Sequence, residues 1–342
     1  MNTLSMNLGE RSYTITVGRG LLERAGEYFN LNRKVFLLTD SGVPEVYARK
    51  ILPQCRCGRL FTVPQGEKSK SMATLEAVLT EMMRFEMTRG DVLVALGGGV
   101  VGDLGGLAAS AYMRGIDFYQ IPTTLLAQVD SSIGGKCAVN LAGAKNIVGA
   151  FYQPRGVLID IDTHATLPER LISAGLAESV KMALTSDSEL FALFEKEDIT
   201  ENNIETVILR SLMIKKAVVE QDEREGGLRK ILNFGHTLGH AIEAESERCG
   251  LGLYHGECVA IGMLPMCSEE VAVRLASVLK RLSLPTRYEG DLERALSLVV
   301  HDKKCTCDGL DVITVEDVGD FRIQKMAREA FLNRIQERMT RI

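Results

Sequence analysis

Apolar positions follow two different rhythms along this chain. In the first half, short apolar runs alternate with stretches of helical spacing. Residues 34–39 (KVFLLT), 59–63, 91–96 (DVLVAL), 118–121 and 157–161 read as buried strands. Between them, residues 71–85 place Met72, Leu75, Val78, Leu79 and Met82 on one side of a helix. Strands alternating with helices predict an α/β N-terminal domain with a mostly parallel, Rossmann-like sheet and helices on both faces.

Past residue 162 the rhythm changes. Helical spacing covers residues 167–184, 188–195, 204–219, 231–247, 257–276, 292–299 and 326–338, and only 312–315 reads as a strand. The expectation is a mostly α-helical C-terminal domain, with 1–162 and 163–342 as the two domains and the cleft between them as the natural ligand site. No internal repeat or low-complexity tract interrupts the pattern.

The helical pattern of the second half contains an unusual polar stripe. Arg229, Asn233, His236 and His240 are spaced four, three and four apart. On one helix of about 3.6 residues per turn, they share a face. The chain has 5 histidines, and solvated faces are ordinarily built from Lys and Glu. The stripe therefore reads as a metal site, histidine being the commonest protein ligand for zinc. Spacing alone nominates both His236 and His240 and leaves His255 open. A carboxylate is supplied by residues 174–181 (AGLAESVK), where Glu178 and Lys181 are the only charges. A charge on so apolar a helix needs a partner. A His/His/Glu set leaves one position open, the arrangement of catalytic zinc.

The predicted strand 91–96 runs into Gly97-Gly98-Gly99-Val100-Val101-Gly102-Asp103. Strand, glycine turn and helix start suit a diphosphate, because glycines admit close backbone approach and the helix N-terminus presents aligned N–H groups. Asp40, at the end of a predicted strand, and the loop of Gln65, Gly66, Glu67, Lys68, Ser69 and Lys70 are further candidates for nucleotide contacts. Residues 121–146 bring Thr123, Thr124, Asp130, Lys136, Lys145 and Asn146 into a glycine-rich, irregular stretch, where lysines bind phosphate as compact point charges. The charged run 215–229 reads as a solvated helix end and turn, and 302–304 as a solvated segment.

Composition narrows the classes. A hydrophobic fraction of 46%, a charged fraction of 25% and a net charge of −5 fit a soluble globular protein. They exclude the basic footprint of nucleic-acid or anionic-membrane binding. The start lacks the basic and apolar regions of a signal peptide, and no apolar run reaches transmembrane length, so a cytoplasmic protein is expected. The 8 cysteines then read as reduced thiols, the C-x-C pairs Cys55/Cys57 and Cys305/Cys307 included.

The segments GGGVVGD, MRG, PTTLLAQVDSSIGGK, GLAESVK, VVEQDEREGGLRKILNFGHTLGHAIE, HGECVAIGM and HDKK occur here in an order that resembles the 3-dehydroquinate synthases. The resemblance spans about residues 40–304. It implies the second step of the shikimate pathway, towards aromatic amino acids: 3-deoxy-D-arabino-heptulosonate 7-phosphate becomes 3-dehydroquinate and phosphate. It further implies NAD, one divalent metal (zinc, or cobalt) and a homodimer, with no nucleic-acid or membrane partner.

The resemblance assigns Glu178, His236 and His255 as metal ligands and His240 as a substrate or proton-transfer residue. It places NAD on Asp40, residues 65–70, Gly99 to Asp103, Thr123, Thr124, Lys136, Lys145 and the turn Thr163, His164, Ala165, Thr166. Substrate contacts would be Asp130, Lys136, Asn146, Lys181, Lys215, Arg229, Asn233, His240 and Lys303, with Arg114 reaching the phosphate across the dimer. The implied course is transient oxidation by NAD, phosphate loss, reduction, ring opening and intramolecular aldol closure. Competing readings are another sugar-phosphate cyclase, a metal-dependent polyol dehydrogenase and a scaffold with a structural metal.

Overall fold

The five apolar runs of the first half become five strands of one seven-stranded sheet, whose other two strands, Asn2–Met6 and Tyr13–Gly18, the apolar pattern does not predict. The computed structural model describes residues 1–299 and 309–339. The chain divides into two compact units, Met1–Leu167 and Pro168–Ile342.

The first unit contains strands β1 (Asn2–Met6), β2 (Tyr13–Gly18), β3 (Lys34–Asp40), β4 (Cys57–Val63), β5 (Val92–Gly97), β6 (Asp117–Pro122), β7 (Lys136–Leu141), β8 (Ala144–Phe151) and β9 (Gly156–Asp160). Its helices are α1 (Ala25–Tyr28), α2 (Glu45–Ile51), α3 (Met72–Arg84) and α4 (Gly99–Ala111). The sheet order is β1-β2-β9-β6-β5-β3-β4, and only β1 with β2 is antiparallel. Side chains alternate across each strand. Phe36, Leu38, Leu93, Ala95 and Phe118 face a core closed by Val78 of α3 and Leu104 of α4. Val35, Leu37, Val92, Val94 and Leu96 face a second core with Leu22, Ala25 and Ala48. Burial on both sides explains why these strands read as continuous apolar runs.

The sheet also fixes where a ligand fits. From β3 the chain steps outward to β4, then returns to the other side of β3 for β5. Where the direction reverses, the loops leaving β3 and β5 diverge and leave a crevice at the strands' carboxyl ends. Asp40 ends β3 and Gly97 ends β5 there. Residues 136–146, the last part of the stretch expected to be irregular, instead belong to an antiparallel hairpin of β7 and β8.

The second unit is mostly helical: α5 (Glu169–Ser186), α6 (Ser188–Lys196), α7 (Ile204–Gln221), α8 (His236–Cys249), α9 (His255–Met263), α10 (Glu269–Arg281), α11 (Leu292–Val299) and α12 (Arg328–Met339), with a hairpin of β10 (Leu310–Thr314) and β11 (Arg322–Met326). Three expectations need correction, the first being that 312–315 is the one strand of this half, since β11 pairs with β10. The helix expected over 257–276 is split by a 3₁₀ turn, Leu264–Met266. Pro265 has no N–H to continue α9, and Ser268 caps the new helix by accepting from Val271 N. The helix expected over 231–247 is likewise broken: Leu228–Asn233 is a 3₁₀ turn, Gly235 has φ 76°, and α8 begins at His236. No helix among the described residues is long and apolar enough to cross a membrane.

Candidate functional site

Three helices of the second unit converge through glycines. A Cβ on Gly256, in the first turn of α9, would collide with the Ala174 carbonyl of α5; one on Gly262 would collide with the Gly235 carbonyl before α8. Without those side chains the backbones close up, and Glu178 of α5, His236 of α8 and His255 of α9 come together. Glu178 Oε1 lies 3.6 Å from His236 Nε2 and 3.5 Å from His255 Nε2. His240, one turn along α8 from His236, brings the third imidazole. One ring nitrogen from each of His236, His240 and His255 lies within 4.8 Å of the others. The broken helix thus leaves only the two histidines of the stripe on a shared helical face. Their spacing alone still leaves both available as ligands.

Partners on the far side of two rings fix their orientation. His236 Nδ1 is 3.0 Å from the Phe234 carbonyl, which can only accept, so Nδ1 carries a proton and Nε2 is the nitrogen turned to Glu178. His255 Nδ1 is 3.0 Å from Glu243 Oε2. Glu178 is buried at 1% exposure and makes an ion-pair contact with Lys181. That contact is not aligned as a hydrogen bond, and among the described residues neither carboxylate oxygen has a hydrogen-bond partner. Burial alone would raise the Glu178 pKa, but Lys181 and His255 outweigh it and keep the group ionised. Burial disfavours the His255 imidazolium, yet Glu178 and Glu243 outweigh that too and push its pKa up to about 10.

Cations surround this cluster in sequence and are buried in the structure. Lys181, Lys215 and Arg229 are 1%, 5% and 1% exposed. The run expected to be a solvated turn is built: Asp222 accepts from Gly226 N at 2.8 Å, Gly227 N at 2.7 Å and Arg229 N at 2.9 Å. The Arg229 guanidinium donates to the Glu223 carbonyl, and Asn233 Nδ2 donates to Glu225 Oε1 at 2.6 Å. Sequence reasoning passed over Glu225 and Glu243. Glu243 stands three residues past His240, so the spacing rule that found the histidines reaches it as well. Lys303, the 302–304 segment, Cys305 and Cys307 lie outside the described residues.

In the first unit, the sequence candidates collect around the β3/β5 crevice. β5 ends at Gly97, Gly98 caps, and α4 starts with Gly99, Val100, Val101, Gly102 and Asp103. A Cβ on Gly98 would stand 3.2 Å from Thr124, and one on Gly99 3.0 Å from Ser131. Lys70 Nζ donates to Asp103 Oδ2 and Asn146 Oδ1, each at 2.6 Å, and Asn140 Nδ2 donates to Glu67 Oε1 at 2.8 Å. These bonds tie the 65–70 loop to the start of α4 and to the β7–β8 hairpin. Gln65 N donates to Ser41 Oγ at 3.0 Å, beside the Asp40 strand end, and Ser69 Oγ donates to the Pro64 carbonyl. Gly66 and Lys68 are exposed on this loop. Asp40 accepts from Gly42 N at 2.7 Å, and burial raises its pKa despite that bond.

Thr123 follows β6 and donates its N–H to the Gly97 carbonyl at 3.0 Å. Asp130 sits in a π turn, Ala127–Ser131, a deformation frequent at functional sites. Lys136 and Lys145 are exposed on the hairpin. Thr163, His164, Ala165 and Thr166 lie in a 3₁₀ turn clamped by Gln128, which donates to Thr163 Oγ1 at 3.0 Å and pairs with His164 Nε2 at 2.7 Å. Burial and Arg19 lower the His164 pKa to about 4, so its ring is neutral. Arg114 does not join this group. It is exposed on the turn after α4, about 18 Å of helix from Gly99. Met113, Arg114 and Gly115 there have φ 48°, 71° and 119°.

The chain matches two family models, described as 3-dehydroquinate synthase N-terminal over residues 60–174 and 3-dehydroquinate synthase C-terminal over residues 175–305. It is 41% identical to the 3-dehydroquinate synthase of Pelobacter propionicus, over 97% of this chain and 98% of that one. Among solved structures, it resembles 2-deoxy-scyllo-inosose synthase complexed with carbaglucose-6-phosphate, NAD⁺ and Co²⁺, with TM-score 0.86, 26% identity, and 98% and 99% of the two chains covered. The 2-epi-5-epi-valiolone synthase of Streptomyces hygroscopicus with NAD⁺ and Zn²⁺ bound is equally similar, with TM-score 0.87, 26% identity and the same coverage. With both halves matched in order and a relative aligned from end to end, this chain belongs to the 3-dehydroquinate synthase family.

Proposed function

We propose that this protein is a 3-dehydroquinate synthase: it converts 3-deoxy-D-arabino-heptulosonate 7-phosphate to 3-dehydroquinate and phosphate. The observation that carries the reading is the Glu178, His236 and His255 cluster, beside buried Lys181, within a chain that matches the family in both halves. The donor set fits a divalent metal, zinc or cobalt. Among the described residues, an ionised carboxylate that is paired with Lys181 but accepts no hydrogen bond stands against two imidazole nitrogens, a carboxylate and imidazole donor set that suits a divalent cation. The first unit fits NAD. Its glycine turn sits at the sheet's reversal point, where side chains on Gly98 and Gly99 would press against Thr124 and Ser131.

A metal held by Glu178, His236 and His255 would supply Lewis-acid polarisation of a substrate hydroxyl, and NAD would supply a reversible hydride acceptor, so the reaction would need no net oxidant. The chain's own residues do the rest. Glu178, His236 and His255 hold the metal. Lys181, Lys215, Arg229, Asn233 and Lys303 bind the phosphate and carboxylate by charge-assisted hydrogen bonds, and the turn that Asp222 pins holds the Arg229 backbone in place. His240, exposed beside the ligand rings, stands where a proton can be moved. Asp130, Lys136 and Asn146 add substrate contacts. Asp40, the 65–70 loop, residues 99–103, Thr123, Thr124, Lys145 and the 163–166 turn hold the dinucleotide.

A homodimer in the cytoplasm completes the reading, with Arg114 on its left-handed turn reaching a partner's substrate phosphate. Free thiols at Cys55, Cys57, Cys137, Cys249, Cys258 and Cys267 accord with a reducing compartment. The test is phosphate release from the heptulosonate with NAD and zinc. Turnover should vanish with chelator and NADH should not accumulate. Comparable turnover of glucose 6-phosphate or sedoheptulose 7-phosphate would favour another cyclase, and steady NADH build-up a polyol dehydrogenase.

A further inference from the structure

His255 opens α9, and its side chain is 31% exposed, against 10% for His236. A ligand at a helix end needs something to hold it. Its backbone is held by Arg170 of α5, which grips Glu257 with both arms at 2.7 and 2.8 Å, while Glu257 Oε2 accepts from Tyr254 N at 2.7 Å. Those contacts fix the first turn of α9 and leave the His255 ring free to rotate about its own bonds.

The ring is held from α8. Glu243 lies seven residues past His236 and three past His240, on the same helical face, and its Oε2 stands 3.0 Å from His255 Nδ1. We propose that Glu243 is a positioning residue for metal binding: by accepting the Nδ1 proton of His255 it turns Nε2 towards Glu178, and so makes His255 the ligand completing the set begun by Glu178 and His236. The inference rests on the metal reading given above. The two imidazoles are oriented by acceptors of different strength. His236 has a neutral carbonyl behind it, whereas His255 has a carboxylate, which both orients the ring and makes it a more basic donor. Helix α8 therefore contributes twice, with a ligand of its own and with the group that aims a ligand on α9.

The test measures metal binding apart from turnover. Zinc affinity of wild type, Glu243→Gln and Glu243→Ala is determined by competition with a chromophoric chelator, and the Co²⁺ d–d spectrum is recorded for each. Removing such an outer carboxylate lowers metal affinity about 10- to 100-fold. Glu243→Ala is expected to show that loss with an altered cobalt spectrum, and Glu243→Gln, which keeps an acceptor, a smaller one. In a His255→Ala background the Glu243→Ala change should add no further loss, because its target is gone. Circular dichroism of the metal-free proteins checks folding; if the alanine variant does not fold, the glutamine variant decides. Wild-type affinity and an unchanged cobalt spectrum in the deciding variant would overturn the proposal, as would an equal further loss in the His255→Ala background. A wild-type protein that takes up no stoichiometric zinc would instead overturn the metal reading itself.

Discussion

His240 and His255 have the same side chain and both adjoin the His236 ring, yet they differ in placement. His255 faces Glu178 at 3.5 Å and is braced by Glu243. His240 is exposed, and its ring centroid lies 5.2 Å from that of His236, edge to face. A residue braced against the buried carboxylate suits metal binding; one open to substrate suits proton transfer. His255→Ala should therefore lose bound zinc after dialysis. His240→Ala should keep about one zinc per chain while turnover falls about 10²- to 10⁴-fold, the range for a positioned acid or base. Metal analysis beside a phosphate-release assay separates the two outcomes, and retained zinc in His255→Ala would remove that residue from the ligand set. At this scale much was legible: a Glu with one Lys for company on an apolar helix segment, and histidines four apart. The orientation of the rings was not, because it depends on the Phe234 carbonyl and on a carboxylate reached only across two helices.

The stripe lies on two elements, and Gly235 separates them. Its φ of 76° ends the 3₁₀ turn and lets α8 start at His236, in close approach to α9. A Cβ there would lie 2.6 Å from Met263 Cγ and 3.0 Å from the Val259 carbonyl. Gly250, after α8, has nearly the same φ, 77°, with nothing within 4 Å of an added Cβ. Gly250→Ala should thus lose only the backbone preference, about 1 kcal/mol, whereas Gly235→Ala adds the collision and should lose about 2–4 kcal/mol. Thermal unfolding of both variants, with zinc titration, checks this; equal losses would show that the close approach of α8 and α9 is not tight.

Periodicity found the elements and missed this break, since Phe234 and Leu238 keep the apolar spacing running through it. It also ran α9 into α10 across Pro265, where a residue-level rule against proline inside a helix was the better guide. The β7–β8 hairpin went unread because its outward face is largely exposed and its partners are each other. The central sheet strands β3, β5, β6 and β9 were legible for the opposite reason, being buried on both sides. The edge strand β1 is mostly exposed and, with β2, went unread.

Across the whole molecule, each unit has carboxylates whose ionised form the fold favours. In the first, burial would raise the Asp117 pKa, but Arg33 at 2.6 Å and Arg155 at 2.8 Å outweigh it and lower the pKa. In the second, burial is likewise outweighed at Asp187 by Arg210, which bonds both carboxylate oxygens at 2.6 and 2.8 Å, and by Leu190 N. Arg274 lowers the Glu195 pKa, with burial opposing. A carboxyl with a lower pKa folded than unfolded binds its proton more readily in the unfolded chain. Its contribution is full above the unfolded value, 3.8 for Asp, and drains away as pH falls through the lower folded value. Thermal midpoints should therefore hold from pH 7 to about 5 and drop steeply below about 4. Asp187→Asn keeps an oxygen to cap α6 but gives up the charge facing Arg210. It should melt below wild type at pH 7 and approach it near pH 3, and Asp117→Asn should do the same for the first unit. Midpoint-against-pH curves for the three proteins decide it: a variant curve running parallel to wild type down to pH 3 would show that its carboxylate is not a source of the acid sensitivity, and that the proton uptake which unfolds that unit lies elsewhere.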